Sequence, residues 1–379
     1  MVRGYWGAIV VASAMVVGGS LNAAQAPAPT PNLPTPPQVY KFVPGWPKPL
    51  PNGWAMGTVT GMYVDKEDHI WVLSRPEENS KTPAVLAFDL EGNLIKSWGT
   101  PESAPEGVWP RQVHTIFTDR DKNVWIAGAA PGDTLVKFSP DGKFIREFGN
   151  RGPIVERQGM KQDNQSKILL LGVSSAALDE ANNEIFIADG YLNRRVVVFD
   201  LTTGAFKRAW GAYGKPIEQI SNDPQPAHDP NDFKAADFKS AVHCIRIAND
   251  GLVYVCDRAG DRVQVFQKDG KFVKEGIVSK NTLGATVTGQ FGVVSSHGSA
   301  WDLAFSSDAQ QRYVFVANGH DKKVHILQRD TLAPVGTFGS GGRYPGQFLA
   351  VGSIAVDTQG NVYAGEQHHG KRVQKFVTR

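Results

Sequence analysis

Only two cysteines, Cys244 and Cys256, occur in 379 residues, too few for a disulfide scaffold or a four-thiolate zinc site. An excess of one charge is also missing. The 40 Lys and Arg are nearly matched by 37 Asp and Glu, for a formal net charge of +3, so a protein that tracks nucleic-acid phosphates is not expected. No stretch sustains helical periodicity, and past the N-terminus no apolar run is long enough to span a membrane. General disorder is excluded by 41% hydrophobic and 10% aromatic residues. Glycine, in contrast, is abundant at 40 residues, and it falls in the turns between short apolar runs.

The first 26 residues differ from the rest. Arg3 is their only charge, an apolar stretch runs from Tyr5 to about Val17, and the segment ends in Ala24-Gln25-Ala26. This is the pattern of a secretory signal peptide, expected over residues 1–26. Pro27 disfavours cleavage after Ala26, which leaves a cut after Ala23 as the alternative. With no cysteine near the signal, a lipid anchor is not expected. Residues 27–37 (PAPTPNLPTPP) form an extended proline-rich linker. We therefore expect an exported protein, periplasmic or secreted, with no stable membrane span after cleavage.

From residue 38 to 379 a unit recurs six times: an apolar run, an Asp-x-x-Gly/Asn turn, a second run, a polar turn and a third run. The first unit reads GMYVDKEDHIWVLSR…AVLAFDLEGNLIKSWG. The sixth reads GSIAVDTQGNVYAGEQHHGKRVQKFV and then the chain stops, without a fourth strand. The segment Val39–Trp46 resembles the missing strand. The expected fold is all-β, a six-bladed propeller of the NHL-repeat type whose N-terminal strand completes the last blade and removes the open edges. Two separate β-sandwiches would not explain a unit repeated six times.

In such a blade the starts of the innermost A strands, the B-to-C turns and the D-to-A connections share one face. The long insertions Asn150–Leu171, Ala212–Phe238 and Ser279–Ser296 are D-to-A connections, so function is expected on that looped face. Counting back five residues from the turn aspartate Asp119 reaches His114. The equivalent positions are Thr60, Ser174, His243, Trp301 and Gly352, a ring around the channel mouth that offers no carboxylate. Arg75, Tyr191, Arg258, His320 and His368 follow the B strands on the same face. Two imidazoles, a phenol and two guanidiniums there could hold a divalent metal, deprotonate a hydroxyl and grip a carboxylate. The Asp-x-x-x-Arg-Val pattern around Arg194, Arg262 and Lys323, with Asp189 and Asp257, reads as turns stitched by charge. Cys244 and Cys256 face each other across a tight turn, as a cross-strand disulfide or as two buried thiols.

These stretches resemble the peptidyl-α-hydroxyglycine α-amidating lyases, zinc propellers that split a carbinolamide into an amide and glyoxylate. The resemblance covers the propeller, with short motifs. The family's first zinc histidine looks like His114, with Asn123, Val124 and Trp125 following. Its Asp-Gly-Tyr-x-Asn segment, whose tyrosine is the family's proposed base, appears as Asp189-Gly190-Tyr191-Leu192-Asn193. The second zinc histidine and the Asp-Arg after it match His243 and Arg258, the other active-site arginine falls on Arg75, and His368 has a counterpart too. The family's third zinc histidine, in a Pro-His-Asp, is replaced here by Gly352 within Val351-Gly352-Ser353. His297, His320, His368 and His228 are substitutes that no spacing rule separates. The absent aspartate is also a ligand of the family's calcium, whose carbonyl ligands fall on Met62 and Ile116. Zinc is therefore expected if the protein is catalytic, and calcium is not.

Three functions follow as expectations. The first is a metal-dependent carbon–nitrogen lyase acting on a small-molecule or peptide substrate, with His114 and His243 on the metal, Tyr191 as base and Arg75 or Arg258 on a carboxylate. The second is a non-catalytic propeller that presents its loops to a peptide, glycan or protein. The third, ranked below both, is a calcium-dependent lactonase-type hydrolase. A monomer that binds no nucleic acid is expected in each case.

Overall fold

The computed structural model describes residues 1, 40–152, 161–223, 229, 235–282 and 298–378. The expected signal peptide and linker lie outside the described residues, Met1 apart. So do parts of the three long connections. Among the described residues no helix is long and apolar enough to cross a membrane.

Six four-stranded antiparallel sheets form the blades. Their A strands are Thr58–Val64, Val113–Thr118, Val173–Asp179, Val242–Ile247, Asp302–Phe305 and Val351–Val356. Each A strand contacts that of the next blade, and the sixth contacts the first, so the ring closes. Tyr40–Phe42 pairs with Val373–Thr378, Tyr40 opposite Thr378 and Phe42 opposite Phe376. The first strand thus completes blade six. Tyr40 also stacks on Phe338 of blade five at 4.5 Å between ring centroids, which ties the closure to its neighbour.

The recurring turn aspartate has a local cause. Asp119 accepts the backbone N–H groups of Asp121 and Asn123 at 3.0 and 2.9 Å and the Trp125 indole N–H at 3.0 Å. Asp65 repeats this with Glu67, His69 and Trp71, and Asp357 with Gln359, Asn361 and the Tyr363 hydroxyl. One side chain therefore satisfies the turn amides and anchors a large aromatic between blades. The apolar face of each sheet packs on the next, with Trp71, Trp125 and Trp301 almost completely buried.

The charge stitching is present, with one correction. In blade three Arg195, not Arg194, pairs with Asp189 at 2.9 Å, both fully buried. The same pairing joins Arg262 to Asp257 at 2.9 Å and Arg372 to Glu366 at 2.6 Å. Arg194 instead reaches Gln162 and the Asp223 carbonyl at 2.8 Å each, because the next residue, Arg195, is the one that starts the C strand facing Asp189. Cys244 and Cys256 are paired across strands A and B of blade four and form a disulfide.

Glu184 carries a pH-dependent share of stability. The forked hydrogen bonds from Arg208, at 2.7 and 2.6 Å, hold its carboxyl down at about 2, against the opposing effect of burial and with help from Lys207. The unfolded chain binds this proton near 4.5, so the stabilisation is complete above that pH and is lost as pH falls toward 2. Glu184→Gln is expected to flatten the acid limb of stability between those values. Urea midpoints measured at pH 6, 4 and 3 check this, and parallel acid limbs for the two proteins would contradict it.

Candidate active site at the channel mouth

A β-bulge puts each ring side chain in place. The A–B register slips between Val59 and Gly61, Val113 and Thr115, Val173 and Ser175, Val242 and Cys244, and Val351 and Ser353. The skipped residues are Thr60, His114, Ser174, His243 and Gly352. A bulge re-aims its residue out of the pleat, here toward the axis. In blade five Trp301 precedes the strand and takes the equivalent place. All six of these residues line one small space in the channel.

The two imidazoles are fixed in the same way. His114 Nδ1 faces the Ser174 carbonyl at 2.7 Å, and His243 Nδ1 faces the Trp301 carbonyl. A carbonyl only accepts, so both rings carry hydrogen on Nδ1 and turn a lone pair outward on Nε2. Both Nε2 atoms point at the Tyr191 hydroxyl, at 2.6 Å from His114 and 3.0 Å from His243. The ring centroids of the two histidines are 5.0 Å apart. Burial, reinforced by Arg75 and Arg258, pushes the His114 imidazole down to about 3, so its lone pair stays available at neutral pH.

Tyr191 owes its place to the glycine before it. A side chain on Gly190 would collide with the Val242 carbonyl oxygen, 2.0 Å from the ideal Cβ; without one, the turn packs against blade four. Asp189 accepts the Leu171 N–H at 2.7 Å and the Asn193 amide at 2.8 Å, and the Tyr191 and Leu192 N–H groups bond to Gly172 and Leu171. Each polar residue of Asp-Gly-Tyr-x-Asn thus has a physical task.

Arg258 lies over the faces of Tyr191 and Trp301, its guanidinium carbon 5.5 and 5.1 Å from the ring centroids. Arg75 donates to the Val113 carbonyl at 2.9 Å, next to His114. His368 stands 6.3 Å from Trp301 between ring centroids. Its imidazole is lowered mainly by burial, then by His369, Arg258 and Arg75, which puts it in the same electropositive cluster. The structure therefore brings His114, His243, Tyr191, Arg258, Arg75 and His368 together. His320 lies in the turn after the blade-five strand Tyr313–Asn318, next to Gly319, which packs on the Trp301 ring. His297 and His228 lie outside the described residues.

The space beside Gly352 is filled by Gln367. A Cβ on Gly352 would lie 2.6–2.7 Å from the Gln367 side chain, while Trp301 sits against His243 and His368. Among the described residues no group of three or more His, Cys, Asp or Glu is placed to hold a metal. The donor set at the mouth is two imidazole nitrogens and one phenolic oxygen. A phenol has one hydrogen, so it can donate to only one of two converging lone pairs at a time. A zinc ion takes nitrogen and oxygen ligands tetrahedrally; the two Nε2 lone pairs fit such an ion, with its other positions left to substrate oxygens.

The ring expected from sequence has no carboxylate, yet Asp302, one residue past Trp301, lines the channel. Its oxygens accept Arg246 at 2.8 Å and the Leu303 and Ile354 N–H groups at 2.9 and 3.1 Å. Both oxygens of this carboxylate are thus engaged by groups of the chain itself. A roomier cavity of about 300 Å³ opens on the opposite face, lined by A-to-B turn residues such as Asp65, Asp119 and Glu180. It meets the channel space described above at Arg246, which lines both.

The chain is a six-bladed β-propeller, and its repeats resemble those of NHL-repeat proteins. It resembles the peptidyl-α-hydroxyglycine α-amidating lyases. The human NHL repeat-containing protein 3 is 24% identical over 237 residues, which cover 61% of this chain and 57% of that protein. Peptidyl-α-hydroxyglycine α-amidating lyase 1 of Drosophila melanogaster is 23% identical over 369 residues, covering 90% of this chain and 60% of the relative. The chain thus spans less than two thirds of either. A solved Bacteroides thetaiotaomicron protein of unknown function shares the fold, at a TM-score of 0.51 and 13% identity over 85% of this chain and 70% of its own. No family model matches the chain.

Proposed function

We propose that this propeller is a metal-dependent carbon–nitrogen lyase that cleaves an α-hydroxylated amide to the amide and glyoxylate or a related carbonyl compound. The observation that carries the reading is the Tyr191 hydroxyl held 2.6 and 3.0 Å from the Nε2 atoms of His114 and His243. His114 and His243 would hold zinc, which when bound acts as a Lewis acid toward substrate oxygens. Arg75 and Arg258 offer guanidiniums that pair with a carboxylate through two parallel hydrogen bonds. Tyr191, acting as its phenolate, would take the proton of the substrate hydroxyl. The O–H electrons form the new carbonyl, the C–N bond breaks, and the nitrogen leaves as an amide carrying a proton returned by Tyr191. Atoms and charge balance with no further reactant. The Cys244–Cys256 disulfide supports an exported, oxidising setting.

The test is release of glyoxylate from an N-acyl-α-hydroxyglycine by the purified zinc-supplemented protein. Release that depends on Arg258 supports the proposal. Its absence, with intact fold and bound zinc, would favour the binding-module reading, which Gln367 in the place left by Gly352 supports.

A further inference from the structure

Beneath the two histidines lies a charged group that the proposed chemistry does not use. Arg246 follows His243 by three residues on the same A strand, and both line the channel. Its Nη1 donates to the Ser175 hydroxyl at 2.8 Å and to the Ile245 carbonyl at 2.9 Å. Its Nη2 donates to Asp302 at 2.8 Å. Ser175 follows Ser174, whose carbonyl fixes His114. Asp302 follows Trp301, whose carbonyl fixes His243. One planar guanidinium therefore grips the residue next to each of the two carbonyls that orient the imidazoles. Asp302 is held in turn by the Ile354 N–H of blade six, so blades three to six meet at this point.

We propose that Arg246 is a positioning residue, a strut that sets the separation and tautomer of His114 and His243 through Ser174 and Trp301. The role rests on the reading that these two histidines form the working centre. A rigid fork suits the task because it holds two partners at a fixed angle, which a lysine ammonium on a flexible stem does not. Groups that orient metal-binding imidazoles typically change metal affinity tenfold to a hundredfold when removed.

The test uses the whole protein labelled with ¹⁵N-histidine, with two variants. Arg246→Lys keeps the charge and loses the fork. Arg246→Met with Asp302→Asn removes both charges together and leaves no buried carboxylate facing nothing. In metal-free wild type, long-range ¹H–¹⁵N spectra should show His114 and His243 as Nδ1–H tautomers. Both variants should show mixed tautomers at these two residues and unchanged spectra at His69 and His325. Zinc affinity should fall by about tenfold to a hundredfold in each. Unaltered His114 and His243 resonances in either folded variant would overturn the proposal. Should wild type bind no zinc, the functional reading fails, and the metal-free spectra still decide whether Arg246 is the strut.

Discussion

Tyr191→Phe is expected to lower kcat for glyoxylate release by about a hundredfold to ten-thousandfold, the usual contribution of a positioned acid–base group, with little change in KM. The phenol ring stays, so its packing under Arg258 and against His114 at 5.0 Å between centroids is kept. Only the hydroxyl is removed, and with it the proton carrier between substrate oxygen and leaving nitrogen. Because Arg75 and Arg258 are untouched, a carboxylate should still bind. Steady-state kinetics alongside a thermal melt separate the outcomes. Turnover within a few-fold of wild type in a folded variant would remove Tyr191 as the base.

Arg195→Met is expected to cost about 3–5 kcal/mol of stability, the range for breaking a buried ion pair from one side. Arg195 and Asp189 are both fully buried. The guanidinium also donates to the Asn164 and Leu169 carbonyls at 2.7 and 2.9 Å and to that of Ser166. Losing it strands a carboxylate and three carbonyls in the interior. Asp189 begins the turn that carries Tyr191, so activity should fall further than the unfolded fraction explains. Pairing the change with Asp189→Asn should recover part of the stability and little of the activity. Urea unfolding at pH 7 reads the first effect, and kcat of the folded fraction reads the second. A loss below about 1 kcal/mol would show that the pair is not the stitch described here.

Much of this architecture was legible in the sequence because its signals are local and repeated. The Asp-x-x-Gly/Asn turns mark each blade, and the aspartate makes the same bonds in blades one, two and six. The missing fourth strand of blade six and the aromatic segment after residue 38 together gave the ring closure. Counting back from Asp119 found His114 and the other ring positions because the turn-to-bulge spacing is constant. What escaped depends on the bulge itself. Strict alternation sends successive residues to opposite faces, but a bulge resets the parity. Thr115 and Ser175 therefore line the channel beside His114 and Ser174, and Arg246 joins His243 from three residues on. Asp302 was hidden next to the more conspicuous Trp301. Gln367 could not be found by reading blade six alone, since its role comes from the room that Gly352 leaves. The choice between Arg194 and Arg195 turned on a single residue of register, which two adjacent arginines do not reveal.

The central claim is that His114 and His243 form a metal site without the family's third histidine. The most direct measurement is elemental analysis of the protein purified without chelators or a histidine tag, beside a His114→Ala/His243→Ala double variant. The account predicts near-stoichiometric zinc in wild type and its loss in the folded double variant. Wild-type protein that takes up no transition metal even after incubation with excess zinc would contradict it.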